Sequence, residues 1–348
     1  MNLLGRKVDH ILVRATNWVG DALMTTPALA ALKDNFPEAR LTVLAKEWVA
    51  PIYAGHPAVE AVMVLDRRGR HQGLTGLVRL AGEVRRRGFD LAVLFQNAFE
   101  AALIAWLARV PLRLGYGTDG RGWLLNPAVR LGPEDRLVHQ TEYYLRLLSR
   151  AGLAARPSRP VFHLSVEARR QARKRLEELN LTGSFLLGIA PGAAYGPAKQ
   201  WPASKFASTA GMILDQTGGA ALVFGSRGDV EAAGLVLNLL PGRSFNLAGR
   251  TGLAEAAALI QCCGLFLSND SGLMHVAAAV GSPLLAVFGS TDPTATGPLG
   301  DLVRVIRHPV DCSPCFRPVC PRDGHPCLDL VTAEEVAGAG LKLIERRR

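Results

Sequence analysis

The order of strand-like and helix-like segments is the feature of this sequence that most restricts its fold. Short apolar runs alternate with longer segments of helical periodicity in the first part of the chain, and the alternation begins again near Phe185. Parallel strands need crossover connections, usually helices, so this order predicts parallel sheets covered by helices on both faces. Between the two parts, residues 154–160 (AARPSRP) are typical of a linker. We therefore predict an α/β fold of two Rossmann-like domains, residues 1–155 and 156–348, that face each other across a cleft.

Composition excludes some classes of protein. With 348 residues, 49% of them hydrophobic and 20% charged, the chain is not intrinsically disordered and is long enough for two cores. The N-terminal segment lacks the apolar run of a signal peptide, and the longest nearly apolar stretch is interrupted by polar and turn residues, so we predict a cytoplasmic protein without a transmembrane segment. The net charge of +10 favours an acidic partner, which could be nucleic acid, an anionic membrane face or a phosphorylated substrate.

The segment 266–289 is predicted to form a buried strand, a polar loop, a helix and a second buried strand. Its polar residues Asn269, Asp270, Ser271 and His275 lie where the first strand gives way to the helix. In open α/β sheets ligands bind at such turns, because the first amides of a helix have no partner within it and attract anions. An equally good interpretation is that Asn269, Asp270 and Ser271 only cap the helix.

Two further segments of the second domain also follow a predicted strand. Residues 191–202 (PGAAYGPAKQWP) combine small residues with Lys199, which suits a diphosphate, although the order of residues is not that of a P-loop. Residues 224–229 (FGSRGD) end in Asp229, which could accept hydrogen bonds from ribose hydroxyls or cap the next helix.

In the first domain, Asp21 follows the first predicted strand, at the start of a helix predicted over residues 21–35. Its carboxylate could cap that helix, which position alone favours, or act as a general base on a bound hydroxyl.

A GxGxxG pattern occurs at Gly115, Gly117 and Gly120. The residues that follow, RGWLLNPAV, contain Pro127 and do not form an amphipathic helix, so the pattern does not predict a dinucleotide site.

Four cysteines, Cys312, Cys315, Cys320 and Cys327, form the pattern CxxCx4Cx6C with His325 inside it. In a reducing compartment this spacing predicts either a structural zinc ion or reduced thiols, and a closed four-ligand site would carry no chemistry.

Taken together, NWVGDALMTTPALAAL, PGAAYGPAKQWP, LVFGSRGDVEAA, NLAGR and SNDSGLMHVAAAVGSPLLAVFG resemble, in order, the motifs of glycosyltransferase family nine, the heptosyltransferases of lipopolysaccharide core assembly. The resemblance spans residues 11 to about 300. It implies a GT-B fold, with the acceptor bound by the first domain and ADP-heptose by the second. It also implies that the last helix, about residues 333–345, packs back onto the first domain.

The resemblance implies an inverting, metal-independent transfer of heptose from ADP-heptose to the first heptose of the inner core, with no cofactor required. The partners would be ADP-heptose, a phosphorylated lipid A-core acceptor and the cytoplasmic face of the inner membrane, where the enzyme would be peripheral. Family members that extend another core sugar, and a nucleotide-sugar epimerase, are alternatives. A basic nucleic-acid-binding module is disfavoured, because the basic residues are scattered among few aromatic residues.

The resemblance also assigns roles to individual residues. Asp21 matches the catalytic base, and Lys199 would stabilise the negative charge that develops on ADP. The donor-binding residues would be Ala194, Tyr195, Lys199, Asp229, Asn269, Asp270, Ser271, Gly272 and His275. The candidates for acceptor binding are Arg14, Asn17, Arg67, Arg113 and Arg121.

Overall fold

A computed structural model describes all of the chain except residues 1, 2, 4, 241, 323 and 348. The contacts divide the chain into two units, residues 1–163 and 164–348, with the boundary shortly after the predicted linker. Each unit contains one parallel sheet covered by helices, so the predicted α/β fold with two Rossmann-like domains is confirmed.

The first unit is built on a six-stranded parallel sheet with the order β3-β2-β1-β4-β5-β6. From β1 the chain adds β2 and β3 on one side. It then returns to the middle of the sheet and adds β4, β5 and β6 on the other side of β1. Ligands of open α/β sheets bind at the carboxyl ends of the strands beside such a reversal. The strands are β1 (His10–Arg14), β2 (Arg40–Ala45), β3 (Ala61–Val64), β4 (Leu91–Leu94), β5 (Leu112–Tyr116) and β6 (Ala128–Val129).

The helix predicted over residues 21–35 is in fact two helices that meet at Thr25. Pro27 lies in the first turn of the second helix and has no amide hydrogen to continue the first. The hydroxyls of Thr25 and Thr26 instead donate to the carbonyls of Ala22 and Leu23, each at 2.7 Å. The helices of this unit are α1 (Val19–Met24), α2 (Thr26–Asn35), α3 (Ala50–Ala54), α4 (Gly73–Arg86), α5 (Phe99–Leu107) and α6 (Gln140–Arg150).

The GxGxxG pattern does not have the structure of a dinucleotide fingerprint. Strand β5 ends within the pattern and leads into a 3-10 turn at Gly122–Leu124, which continues into the short strand β6. A phosphate-binding fingerprint needs a helix at this point, so the prediction of no dinucleotide site agrees with the local structure.

The second unit repeats the strand order of the first. Its six-stranded sheet has the order β12-β11-β10-β7-β8-β9, so the reversal lies between β7 and β10. Residues 191–202, 224–229 and 270–271 all follow carboxyl ends of strands of this one sheet, and Asn269 is the last residue of its strand. The strands are β7 (Leu186–Ala190), β8 (Ala220–Val223), β9 (Ser244–Asn246), β10 (Leu265–Asn269), β11 (Leu284–Val287) and β12 (Val303–Ile306).

The last helix of the chain packs on the second unit's own sheet. It contacts one neighbouring helix and strands β10 and β11, and a β-carbon at Gly340 would lie only 2.8 Å from the Leu265 side chain. Its contact with the first domain stays a prediction. The helices are α7 (Val166–Glu178), α8 (Ala203–Thr217), α9 (Val230–Leu239), α10 (Leu253–Cys262), α11 (Gly272–Ala279), α12 (Pro293–Thr296), α13 (Pro326–Asp329) and α14 (Ala333–Arg347). Among the residues that the structure describes, none of these helices combines the length and the apolar character needed to cross a bilayer.

Candidate active site

Asn269 joins the two central strands of the second sheet. It is the last residue of β10 and has no exposed surface. Its Oδ1 accepts a hydrogen bond from the Trp201 amide at 3.0 Å, and its Nδ2 donates to the Pro191 carbonyl at 2.6 Å. Because Pro191 directly follows β7, the Asn269 side chain fixes both ends of the loop 191–202, which we call the donor loop after its predicted role. Asn269 therefore holds this loop in place, and its predicted contact with the donor stays a prediction.

We expect Asn269→Ala to lower the free energy of unfolding by about 2 kcal/mol, because it leaves a buried amide and a buried carbonyl without partners. Chemical denaturation measures this change. Asn238→Ala, at an exposed position of α9, is the matched control and should shift stability by less than about 0.5 kcal/mol. Equal effects of the two substitutions would contradict the role of Asn269 in the donor loop.

Lys199 is held in place by the turn after β10. Its Nζ lies 2.5 Å from Asp270 Oδ2 and 4.8 Å from the centre of the Tyr195 ring. The same carboxylate oxygen accepts a hydrogen bond from Thr291 Oγ1 at 2.5 Å, and Asp270 is almost fully buried. These contacts give the ammonium group one defined position at the carboxyl edge of the sheet. Thr291, which follows β11, is a positioning residue that sequence reasoning missed.

The capping interpretation of Asn269, Asp270 and Ser271 is wrong. The N-cap of α11 is Ser271, and its side chain makes no capping hydrogen bond. Its Oγ contacts Ser268 Oγ at 3.1 Å instead, while Asn269 and Asp270 bond to other loops. The helix therefore begins without a side-chain cap beside the Lys199 ammonium, and this arrangement favours an anion. His275 is buried one turn further along α11.

Asp229 closes the turn after β8. Its Oδ2 accepts hydrogen bonds from the Ser226 amide at 2.8 Å and from Ser226 Oγ at 2.6 Å. The bond from the amide is part of a capping box of the 3-10 turn at Arg227–Asp229. The turn lies against the donor loop, since a β-carbon at Gly192 would come within 2.0 Å of Asp229 Oδ1. Asp229 is also the N-cap residue of α9, but its side chain makes no capping hydrogen bond to that helix, so the cap that sequence reasoning left open is not formed. Contact with a ribose stays a prediction.

The cysteine-rich segment supports the donor loop. Tyr195 Oη donates to the Phe316 carbonyl, and the Ala198 amide donates to the Pro318 carbonyl at 3.0 Å. Gly196 is required between them because its φ is 148° and a β-carbon there would lie 2.3 Å from the Pro318 oxygen. Residues that had no place in the predicted chemistry therefore help to fix the loop that carries Lys199.

The predicted zinc site is not supported. Cys312, Cys315, Cys320 and Cys327 do line one cavity of about 440 Å³. However, within the described parts of the chain no three His, Cys, Asp or Glu side chains form a group that could hold a metal ion. Burial, with smaller contributions from the other three cysteines, raises the pKa of the Cys327 thiol, so this group favours its neutral form.

In the first unit, Arg14 ends β1 at the reversal of the sheet. Only 4% of its surface is exposed, and burial lowers the pKa of its guanidinium to about 10. Its Nη2 donates to Asn17 Oδ1 at 3.0 Å, and its Nη1 donates to the Ala15 carbonyl. The hydrogen-bond partners are neutral oxygens, so the buried positive charge is only partly compensated.

Further cations follow the neighbouring strands. Lys46 directly follows β2, and the pKa of its ammonium is lowered by burial first and then by the positive charges of Arg14, Arg67 and Arg68. Glu100 opposes them, and it forms an ion pair with Arg67 at 2.8 Å. We call Arg14, Lys46, Arg67 and Arg68 the cation cluster. Sequence reasoning missed Lys46, although its position directly after a strand was the available signal.

Asp21 lies in the first turn of α1, the helix that follows the carboxyl end of β1. Burial is the main cause of the raised pKa values of Tyr53 and Tyr144, and the negative charge of Asp21 raises both further. The N-cap of α1 is Trp18, whose side chain does not cap the helix.

Two predicted acceptor residues are bound to the backbone of their own unit. Arg121 has no exposed surface, and it donates to the Tyr116 and Gln96 carbonyls and to Asn97 Oδ1. Arg113 donates to the carbonyls of Leu124 and Val110 at 2.6 and 2.5 Å. These contacts do not support the predicted binding of an acceptor phosphate by either arginine. The guanidinium nitrogens that would donate to the phosphate already donate to oxygens of loops and strand ends in the same unit.

The fold and these sites define a class of protein. Two Rossmann-like domains in one chain, each with polar and charged groups at the carboxyl edge of its sheet, are typical of GT-B glycosyltransferases. A solved structure described as E. coli ADP-heptose lps heptosyltransferase II is 29% identical, with a TM-score of 0.82 over 97% of this chain and 99% of that one. A family 9 glycosyltransferase from Veillonella parvula is 25% identical, with a TM-score of 0.89 over 98% and 99%.

Sequence comparison gives the family. The profile of glycosyltransferase family 9 (heptosyltransferase) matches residues 77–325. Lipooligosaccharide heptosyltransferase 2 of Haemophilus influenzae is 34% identical over 86% of this chain and 88% of its own length. Lipopolysaccharide heptosyltransferase 2 of Salmonella typhimurium is 33% identical over 85% of this chain and 87% of its own length. The chain belongs to glycosyltransferase family 9, and it is a glycosyltransferase.

Proposed function

We propose that this enzyme transfers heptose from ADP-heptose to the first heptose of the lipopolysaccharide inner core. The observation that carries the proposal is the fixed Lys199 ammonium beside the uncapped start of α11, at the reversal of the second sheet. A full positive charge beside unpaired amides stabilises a diphosphate leaving group. The names of the relatives supply the sugar, its ADP-linked donor and lipopolysaccharide as the product. The first heptose as acceptor follows from the resemblance of the sequence motifs.

On the donor side, Lys199 and the first amides of α11 bind the diphosphate, and the amides of Ala194 and Tyr195 lie in the same donor loop. Asp270 and Thr291 set the direction of the lysine. As the bond to the sugar breaks, negative charge grows on ADP and these groups stabilise it, so no metal ion is required. Asp229 contacts the ribose, and His275 lies behind the start of α11.

On the acceptor side, Asp21 accepts the proton of the attacking hydroxyl. Attack on the face of the anomeric carbon opposite to ADP inverts its configuration. The cation cluster binds phosphates of the acceptor, because Arg14 is almost fully buried, Lys46 is partly buried, and Glu100 offsets only part of their positive charge. Asn17 orients Arg14, and its carbonyl also accepts a hydrogen bond from Trp48 Nε1 at 2.8 Å. A lipid-linked acceptor places the enzyme at the cytoplasmic face of the inner membrane.

We expect Lys46→Met to raise KM for a phosphorylated acceptor by about tenfold while kcat stays within about twofold, because one charge-assisted contact is lost away from the reacting atoms. Initial rates with the phosphorylated acceptor and with its dephosphorylated form measure the effect, which should shrink for the second. Lys7→Met, which removes an exposed lysine of the same unit, is the control. An unchanged KM would contradict the role of the cation cluster.

The decisive experiment offers ADP-heptose together with acceptors that carry zero, one or two heptoses. We expect extension of the acceptor with one heptose. Extension of a different acceptor would assign the enzyme to another step of the family's chemistry. Consumption of ADP-heptose without acceptor, with an epimerised product, would instead indicate an epimerase.

A further inference from the structure

Three aromatic side chains form one exposed cluster on the first unit. Phe99 and Trp106 lie on α5, and Trp123 lies in the turn after β5. Their exposed fractions are 41%, 45% and 68%. The centre of the Trp123 ring lies 6.2 Å from that of Phe99 and 6.3 Å from that of Trp106, so Trp123 connects the other two. A continuous exposed aromatic patch on a folded domain indicates an interaction surface.

The outer face of α5 explains why the cluster is exposed. Ala101, Ala102, Ile104 and Ala105 are buried against the core of the unit. Phe99 and Trp106 are seven residues apart and therefore lie on one face of the helix, which points away from that core. The helix is thus apolar on both faces, although only one face is covered by the described chain. A second apolar medium is expected to cover the other face.

Positive charge lies next to the cluster. Arg109 is exposed and lies two residues after the end of α5, and its amide donates to the Trp106 carbonyl at 2.9 Å. The Arg113 guanidinium donates to the carbonyl of Leu124, the residue after Trp123. Of the acidic residues nearby, Glu100 forms an ion pair with Arg67, and Asp119 lies in the loop before Trp123. Tryptophan and arginine side by side suit the headgroup region of a bilayer that contains anionic lipids. If a second copy of the chain covered the cluster with the same surface, the arginines of the two copies would be brought together, which is unfavourable.

We propose that Phe99, Trp106 and Trp123 bind the first unit to an anionic phospholipid surface. The indole rings lie among the headgroups, and the exposed Arg109 faces lipid phosphates. This inference rests on the proposed function, because a lipid-linked acceptor is embedded in such a surface. Helix α5 also carries Glu100, the partner of Arg67 in the cation cluster. The lipid-binding surface and the acceptor groups are therefore parts of one rigid domain, which sets the height of the acceptor above the bilayer.

The test is sedimentation of the full chain with vesicles of phosphatidylcholine, with or without phosphatidylglycerol. We expect binding that needs phosphatidylglycerol and a blue shift of tryptophan fluorescence. Trp106→Ser combined with Trp123→Ser should reduce partitioning by about tenfold. Arg109→Gln should reduce it by about fivefold, on anionic vesicles only. Leu235→Ser with Leu239→Ser, two exposed positions on α9 of the second unit, is the matched control and should have no effect.

Two measurements separate this inference from the proposed function. Thermal unfolding confirms that the tryptophan variant is folded, and heptose transfer to a water-soluble acceptor without acyl chains should be the same in the variant and the parent protein. If the parent protein showed no heptose transfer to this acceptor, the proposed function would be refuted, while the result with vesicles would still stand. Unchanged vesicle binding by the tryptophan variant would refute the lipid surface. So would light scattering that shows a dimer of the parent protein and a monomer of the variant.

Discussion

Asp21→Asn is expected to reduce turnover by about 10² or more while ADP-heptose binding remains unchanged, because the amide cannot accept the proton of the attacking hydroxyl. The side chain keeps its size, and Asp21 belongs to the unit that carries the cation cluster rather than to the unit that carries Lys199. The loss should therefore appear in kcat and not in the affinity for the donor. Single-turnover rates and calorimetric titration with ADP-heptose measure the two quantities separately.

Asp34→Asn provides the matched control for this experiment. Asp34 is an exposed aspartate on α2 of the same unit, and the same substitution there should leave turnover unchanged. Turnover near that of the parent protein in Asp21→Asn would remove Asp21 from the reaction. Weaker donor binding would instead show that Asp21 contributes to the donor site.

Lys199→Ala is expected to weaken donor affinity and to reduce kcat/KM by roughly 10²–10³, because the charge that the lysine meets grows as the sugar leaves. The same substitution leaves the Asp270 carboxylate buried without its cation. We expect a loss of about 3 kcal/mol in the free energy of unfolding, since breaking one side of a buried ion pair is costly. Steady-state kinetics and chemical denaturation measure the two effects.

A double substitution separates these two consequences. Lys199→Met with Asp270→Asn removes both charges, so most of the stability should return while activity stays low. If activity returned together with stability, the role of Lys199 would be structural. If Lys199→Ala changed only acceptor affinity, the assignment of the donor to the second unit would be wrong.

The sequence predicted much of the fold because periodicity and chain order are local properties. Periodicity predicts a strand over residues 10–14 and helices over residues 230–239 and 253–262, and strand β1, helix α9 and helix α10 have these bounds. The single helix predicted over residues 21–35 was wrong, because threonine hydroxyls and Pro27 together end the first helix at a point where the apolar spacing continues.

The candidate site was predicted less completely. Asn269 and Lys199 were identified as polar residues at strand ends, yet their partners were not. The Trp201 amide is 68 residues from Asn269 in the chain, and no local pattern distinguishes a cap from a contact over such a separation. For Arg121 the sequence could not show the burial, because an arginine that lies fully buried among carbonyls looks the same in sequence as one that faces a ligand.

The sequence by itself therefore determined the α/β class, the division into two domains, the family and the strand ends at which polar groups occur. The tertiary structure alone decided what those groups do. The strand order places the end of β10 beside β7, so Asn269 holds the donor loop and Asp270 directs Lys199 instead of capping α11. It likewise brings Arg14 and Lys46 together from neighbouring strand ends. The physical reason is that hydrogen bonds and charge interactions depend on distance in space, and the sheet sets that distance.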